Sequence, residues 1–487
     1  MNPTVQILLT VLYILVTIAV CLKVIIDTRS TSKTLAYLLL IILVPVVGML
    51  VYFSIGMNYR KNQIYSKKLT KDQKLQQSLE TRIRADTLEL AAKHTGLLGH
   101  SQNTVKLILN DSSSPLTAGN HVELLINGEA KFPKVIEALE AAREHIHIEY
   151  YIYENDVIGN RIKEILIRKA AEGVKVRFIY DDFGSHGIKR NIIRELTASG
   201  VEAYPFHRIF IPLLANRLNY RNHRKIIVID GETAFTGGIN ISDRYINPHH
   251  RNNPEVGYWR DTHLMIQGPG VMYLQYLFIT SWRFCSKQEL EELFDFFPEA
   301  YHAKGHSLVQ IAASGPDSRR AGIQLALQSA ISSAQKRLYI TSPYFIPGDS
   351  MLNCIKQAAL GGVDVRLLVP GTSDSYFVNA AAKSYYESLL EVGVRIFYYR
   401  KGFIHAKTVV VDDHLAIVGT TNMDLRSFEL NFEVSAFVYD RKTNTELAQA
   451  FMKDLSHSEE LYLSAWRKRS AYLRIAEAVV RLVSPLL

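Results

Sequence analysis

Two stretches of this chain carry the same polar residues at the same spacing. The first, "HRKIIVIDGETAFTGGIN", holds His223, Lys225, Asp230, Gly237, Gly238 and Asn240. The second, "HAKTVVVDDHLAIVGTTN", holds His405, Lys407, Asp412, Gly419, Thr420 and Asn422. An imidazole can serve as nucleophile or as general acid and base near neutral pH. Lysine adds positive charge, and an asparagine amide adds N–H donors. If both copies face one cavity, two His, two Lys and two Asn surround a phosphodiester, whose equatorial oxygens gain charge during displacement. One imidazole can then attack phosphorus while the other protonates the leaving oxygen. Gly237, Gly238 and Gly419 would let the backbone approach the phosphate closely. A single His-x-Lys before a strand is more often a solvated strand end, but packing alone does not ask for the same polar letters twice. Neither copy supplies a second His, Cys or carboxylate at ligand spacing, so no metal is expected.

The elements that must hold these residues are legible around them. "KIIVID" and "KTVVVD" are continuous β-branched runs, the pattern of strands buried on both faces. Residues two apart on a strand share a face, so His223 sits with Lys225 and His405 with Lys407. Asp230 and Asp412 close these strands and read as structural partners more than as catalysts. A looser repeat surrounds the motifs. "AAREHIHIEYYIY" resembles "SAQKRLYITSPYF", "GVKVRFIYDD" resembles "GVDVRLLVPG", and "GVEAYPF" resembles "GVRIFYY". Strands alternating with helical stretches predict α/β domains. We expect two, over 116–290 and 291–455, packed about a pseudo-twofold axis.

The remainder points to a membrane. Of 487 residues 48% are hydrophobic, and the formal charge of +9 calls for an anionic partner, nucleic acid or an acidic lipid surface. The runs Val5 to Ile26 and Leu35 to Gly56 are each long enough to span a bilayer, with a short polar loop between them. Residues 1–57 are therefore expected to form a two-helix transmembrane hairpin. Pro45 and Gly48 do not exclude the second span. Arg60, Lys61, Lys67, Lys68, Lys71 and Lys74 follow it and predict that everything beyond lies on the cytoplasmic side. Residues 58–115 read as a basic connector. The tail, 456–487, includes a helical pattern with Tyr472, Leu473, Ala476, Val479, Val480 and Val483 on one face. It suits an anionic membrane surface or the protein's own core equally well. Three scattered cysteines, Cys21, Cys285 and Cys354, argue against a disulfide scaffold.

At His-x-Lys-x4-Asp with a downstream Gly and Asn, the sequence resembles the phospholipase D superfamily, and both copies match. Over nearly its full length the chain is similar to bacterial cardiolipin synthases, with "EYYIY", "DDFGS", "NYRNHRK", "YWRDTH", "SPYFIPG" and "DLRSFELNFE" as supporting letters. The resemblance implies a phosphatidyltransferase with phosphatidylglycerol as both donor and acceptor. It implies a phosphatidyl-histidine intermediate, anionic membrane lipids as partners, and no nucleic acid, ATP or other cofactor. It makes His223, Lys225, Asp230, His405, Lys407 and Asp412 the catalytic set, with His223 as nucleophile and His405 as acid. Asn240 and Asn422 would hold the phosphate, and the carboxylate after each motif would orient the histidine of that motif, Asp261 for His223 and Glu433 for His405. It also implies a multi-pass protein of the bacterial cell membrane. A hydrolase of the same superfamily and a lipid-binding scaffold on an inactive fold are the rivals. The replacement of Gly238 by Thr420 in the second copy has no explanation at this level.

Overall fold

The computed structural model describes residues 3–28, 31–53, 73–207, 220–250, 257–288, 296–318 and 320–483. The β-branched runs become strands. In the first half these are β1 (Thr117–Ile126), β2 (His145–Tyr150), β3 (Lys175–Asp181), β4 (Glu202–Phe206), β5 (Lys225–Ile229), β6 (Thr233–Gly237), β7 (Trp259–Arg260) and β8 (Thr262–Gln267). In the second half they are β9 (Ser307–Ser314), β10 (Arg337–Thr341), β11 (Phe345–Ile346), β12 (Asp364–Pro370), β13 (Arg395–Tyr399) and β14 (Phe403–Ile404). After these come β15 (Thr408–Val411), β16 (Leu415–Gly419), β17 (Met423–Asp424), β18 (Glu433–Tyr439) and β19 (Ser458–Leu461).

Fifteen of these strands form one sheet, ordered β4-β3-β2-β5-β6-β8-β1-β9-β18-β16-β15-β10-β12-β13-β19. The order is its own mirror about the β1/β9 junction, apart from the extra edge strand β19. Strands β1 and β9 pair antiparallel there, with Thr117 opposite Val309, so the halves are related by a pseudo-twofold axis. The motif strands take equivalent places: β5 lies between β2 and β6, and β15 between β10 and β16. Every residue of both is buried, as their unbroken apolar runs require. Beside the junction the halves share a core to which Val122, Leu264 and Val228 contribute from one side and Val309, Val434 and Val410 from the other. Each such side chain stabilises by roughly 1.5–3 kcal/mol on full burial.

Asp230 and Asp412 stand at the far ends of their strands from the motif histidines, both with positive φ (51° and 47°). The Asp230 carboxylate accepts the backbone N–H groups of Arg143, Glu144 and His145. That of Asp412 accepts those of Gln335, Lys336 and Arg337. Each ties down the turn entering the neighbouring strand. Both carboxylates are thus spent on backbone N–H groups at the strand ends, the structural role that their place in the motif suggested beside the catalytic one.

The apolar N-terminus forms one long helix followed by two short ones. Helix α1 (Pro3–Asp27) is, among the described residues, the one helix long and apolar enough to cross a membrane. The second run breaks into α2 (Thr31–Leu43) and α3 (Pro45–Val51). The cause is local: a residue before proline is disfavoured in helical conformation, and Val44 sits at φ −137°, ψ 72°. Residues 54–56 and the basic cluster Arg60, Lys61, Lys67, Lys68 and Lys71 lie outside the described residues. Within 58–115, helix Gln102–Ser112 packs into the fold, with Val105, Ile108 and Leu109 buried. Val105 and Ile108 pack with Leu308 and Ile323 of the second half. At the other end of the chain, helix Ala471–Val483 docks on the second half through one face. Its Glu477 is buried against Arg469 at 2.7 Å, and Val480 packs on the second-half core. Tyr472, Ile475, Val479 and Leu482 remain exposed as an apolar stripe.

Candidate active site

The twofold brings the two motifs to one cavity of about 350 Å³, whose wall includes His223, His405, Asn240 and Asn422. This is the size range of a small-ligand or headgroup pocket. The histidines are held by matching backbone and side-chain contacts that cross between the halves. His223 N–H donates to the Phe432 carbonyl at 2.9 Å, and His223 Nδ1 lies 3.0 Å from the Glu433 carboxylate. His405 N–H donates to the Arg260 carbonyl at 2.7 Å, and His405 Nδ1 lies 2.7 Å from Asp261 Oδ2. Each imidazole is thus oriented by the carboxylate that follows the other motif, and the expected pairing within each motif is corrected: the two halves exchange carboxylates where they pack together. A carboxylate accepts, so both Nδ1 atoms carry the hydrogen and the Nε2 atoms are the ones that can meet a ligand, that of His405 also lying 2.9 Å from Lys407 Nζ.

Lys225 and Lys407 stand behind this wall. Lys225 Nζ donates to the His223 carbonyl at 2.9 Å; Lys407 Nζ lies 2.9 Å from the His405 ring nitrogens and also bonds the His405 carbonyl. Asn240 donates to the Tyr245 hydroxyl at 2.8 Å and accepts from the Ile152 N–H. Asn422 Oδ1 is buried and has no hydrogen-bond partner among the described residues.

The Gly/Thr difference between the copies has a direct cause. A Cβ on Gly238 would overlap the Asp261 carboxylate. At the equivalent place Thr420 Oγ1 donates to Glu433, and Val434 N–H returns a bond to that hydroxyl at 3.0 Å. One copy makes room for its carboxylate, and the other grips it.

Burial governs the protonation of the site. It pushes His405 down to about 3, with Lys407 adding to the effect and Asp261 opposing it. His223 is lowered by the same burial against the pull of Glu433. Burial and the neighbouring Lys407 bring Lys225 down to about 7, and burial brings Lys407 to about 8 against Asp261. For Asp261, burial acts upward, yet Lys407 and His405 hold the carboxyl below its ordinary value. The cavity is therefore lined by neutral imidazoles, with the Asp261 carboxylate ionised behind His405. A stability consequence follows. Unfolded His405 binds a proton below about pH 6.5, whereas folded His405 refuses it down to about 3. Stability present above pH 6.5 is lost as pH falls through that window. Thermal unfolding of detergent-solubilised protein should show His405→Gln with a shallower acid slope than the parent, by about one proton.

The cavity also contains residues that the motif reading did not assign. Arg244 and Arg426 line it, each four positions after the motif asparagine. Extending the repeat by those four residues would have found both. Arg244 is placed by Glu154 at 3.1 Å and lies over the Trp259 ring. Arg221, also on the wall, is anchored by Asp181 at 3.5 Å, and Tyr344 donates to Asp374 at 2.6 Å across the rim.

Comparison with known proteins accords with this geometry. The family model described as "Cardiolipin synthase, PLD-like domain" matches residues 135–263 and 327–455, one match in each half. A second, "Phospholipase D-nuclease N-terminal", matches 11–56. A cardiolipin synthase from Alkalihalophilus pseudofirmus is 40% identical over 98% of this chain and 94% of its own. One from Listeria innocua is 41% identical over 99% of both. Among solved structures, the phosphatidylserine synthase of Haemophilus influenzae has the same fold, with a TM-score of 0.60 at 16% identity. That match covers 79% of this chain and 99% of the other.

Proposed function

Because this chain belongs to the cardiolipin synthase family of PLD-like domain proteins, we propose that it joins two phosphatidylglycerol molecules into cardiolipin and releases glycerol. The observation that carries the reading is the pair of imidazoles on one cavity wall, each with Nδ1 tied to a carboxylate of the other half.

In the first step, His223 Nε2 attacks phosphorus of the donor lipid. The bond from phosphorus to the headgroup glycerol oxygen breaks, and His405 Nε2–H delivers its proton to that oxygen as glycerol leaves. The phosphodiester's own negative charge favours the protonated form of His405 when lipid is bound. Asp261 stabilises that imidazolium and fixes its ring. In the second step the free glycerol hydroxyl of another phosphatidylglycerol gives its proton to His405 and attacks the phosphatidyl-histidine. The P–N bond breaks, and both histidines return to their starting states. Lys225 and Lys407 supply positive charge behind the phosphate, and Asn240 and Asn422 supply amide donors. Arg244 and Arg426 complete a cationic wall suited to anionic lipids. The energy of the original phosphodiester passes through the P–N bond, so the exchange needs no nucleotide.

The apolar α1 associates this protein with a membrane, and we place the catalytic halves on its cytoplasmic face. The run of Lys and Arg between 60 and 74 supports that side. Purified protein in phosphatidylglycerol vesicles should convert labelled lipid to cardiolipin with one glycerol released per cardiolipin. Phosphatidic acid as the main product would instead mean that water is the normal acceptor.

A further inference from the structure

We propose that the N-terminal module crosses the bilayer once, and that α2 and α3 form a re-entrant helical pair which enters and leaves on the catalytic side. Four observations converge on this arrangement.

First, α2 has 13 residues, about 20 Å of helix, whereas a hydrocarbon core is about 30 Å thick. Second, α3 folds back along α2. A Cβ on Gly48 would lie 2.6 Å from Ile41 Cα, an approach that two turns of a continuous helix could not give. Glycine is required there because the two backbones touch. Third, the path returns to its origin. The Tyr52 ring, just past α3, lies 5.5 Å from Tyr37 near the start of α2, and its hydroxyl donates to Asp27 at the end of α1. Fourth, that end is fixed to the catalytic halves, with Lys33 Nζ 2.6 Å from Glu429 and only 16% of the Lys33 side chain exposed.

Asp27, Lys33 and Tyr52 therefore gather on the catalytic side, and the opposite tip is apolar. Ile42, Leu43 and Val46 are 67%, 69% and 66% exposed there, a surface that suits lipid chains. The turn leaves few backbone groups unpaired. Val44 N–H donates to Leu40, the Val44 carbonyl accepts from Gly48, and Pro45 has no N–H. In a two-span hairpin the connection between α1 and α2 would lie a full bilayer away from Glu429, and the Lys33 ion pair could not form. Only α1 crosses, so its N-terminal end lies on the face opposite the catalytic halves.

The arrangement also bears on access. Helix Leu425–Glu429 holds Lys33 with its last residue and lines the cavity with Leu425 and Arg426. The lipid surface is thereby anchored one short helix away from the histidines. The inference concerns topology and does not depend on which reaction the cavity performs.

The test uses the full-length protein with Cys21, Cys285 and Cys354 replaced by Ser, carrying one added cysteine at a time. Thr4→Cys reports the start of α1, Arg29→Cys the α1–α2 connection, and Arg190→Cys the exposed catalytic surface. Membrane-impermeant maleimide is applied to right-side-out and inverted vesicles, using variants that insert into the membrane and melt as the cysteine-free parent does. The expected pattern is Arg29→Cys and Arg190→Cys labelled from one side and Thr4→Cys from the other. Thr4→Cys labelled together with Arg190→Cys, and Arg29→Cys from the opposite side, would establish two spans and overturn the proposal. Labelling of all three from one side, or Arg190→Cys labelled alone from its side, would overturn it too.

Discussion

A phosphatidyl ester whose leaving group is p-nitrophenol should restore the first half-reaction to His405→Ala and to Asp261→Asn, but not to His223→Ala or Glu433→Gln. With phosphatidylglycerol, either histidine variant should lose about 10⁴-fold or more in turnover, and the carboxylate variants about 10²–10⁴-fold. Losing both members of one pair should cost little more than losing one, because the two act as a unit. p-Nitrophenolate departs without a proton, so it removes the need for the general acid and leaves the nucleophile indispensable. A burst of p-nitrophenolate, with the phosphatidyl group retained on His223, is the expected record. The grouping follows from the crossed contacts: His405 is bonded to Asp261 and His223 to Glu433. Rescue of Glu433→Gln in place of Asp261→Asn would mean that each carboxylate serves its own half. Rescue of His223→Ala would exchange the roles of the histidines. Membrane association should persist in all four variants, since α1 lies far along the chain from every substitution.

Much of this site was legible in the sequence because its chemistry is written twice. The spacing from His223 to Asn240 recurs from His405 to Asn422, and apolar packing alone does not ask for His, Lys and Asn to recur together on buried strands. The α/β character and the two halves followed from the same repeat. What spacing along a chain cannot show is which half a side chain reaches into. Asp261 and Glu433 could be identified as candidates, but their crossing depends on β7 pairing with β14 and on Asn222 bridging to Phe432, contacts made only by packing the halves together. Asp230 and Asp412 illustrate the opposite difficulty. Their motif positions match the catalytic letters, yet a positive φ and three backbone N–H donors show each of them to be a turn anchor. In the N-terminal run, average hydropathy outweighed two letters, Pro45 and Gly48, which together encode a reversal: one bars the helix from continuing and the other lets it return at backbone contact. The buried face of Gln102–Ser112 was obscured by the lysine-rich sequence before it, although Val105, Ile108 and Leu109 keep helical spacing.

Gly238→Thr, which copies the second motif onto the first, should cost about 10²–10⁴-fold in turnover while the sheet remains folded. The added side chain would occupy the space of the Asp261 carboxylate, a group fully buried and bonded to His405. Asp261 must move, and His405 then loses the partner that sets its tautomer and stabilises its protonated form. The reverse change, Thr420→Gly, removes one hydroxyl from a Glu433 carboxylate that keeps its contacts to His223 and Asn431. A hydrogen bond to a charged group contributes about 1.5–3 kcal/mol, so a loss of roughly 10- to 100-fold is expected there. The asymmetry between the two substitutions is the informative result. It arises because the first copy uses vacancy to seat its carboxylate and the second uses a donor, although both reach the same end 2.7–3.0 Å from an imidazole. The p-nitrophenyl substrate separates their effects further. Gly238→Thr should recover with it, since the damage falls on the acid, whereas Thr420→Gly should not, since Glu433 serves the nucleophile. Equal losses that neither substrate relieves would show that residues 238 and 420 act on folding alone and that the crossed carboxylates do not divide the two roles.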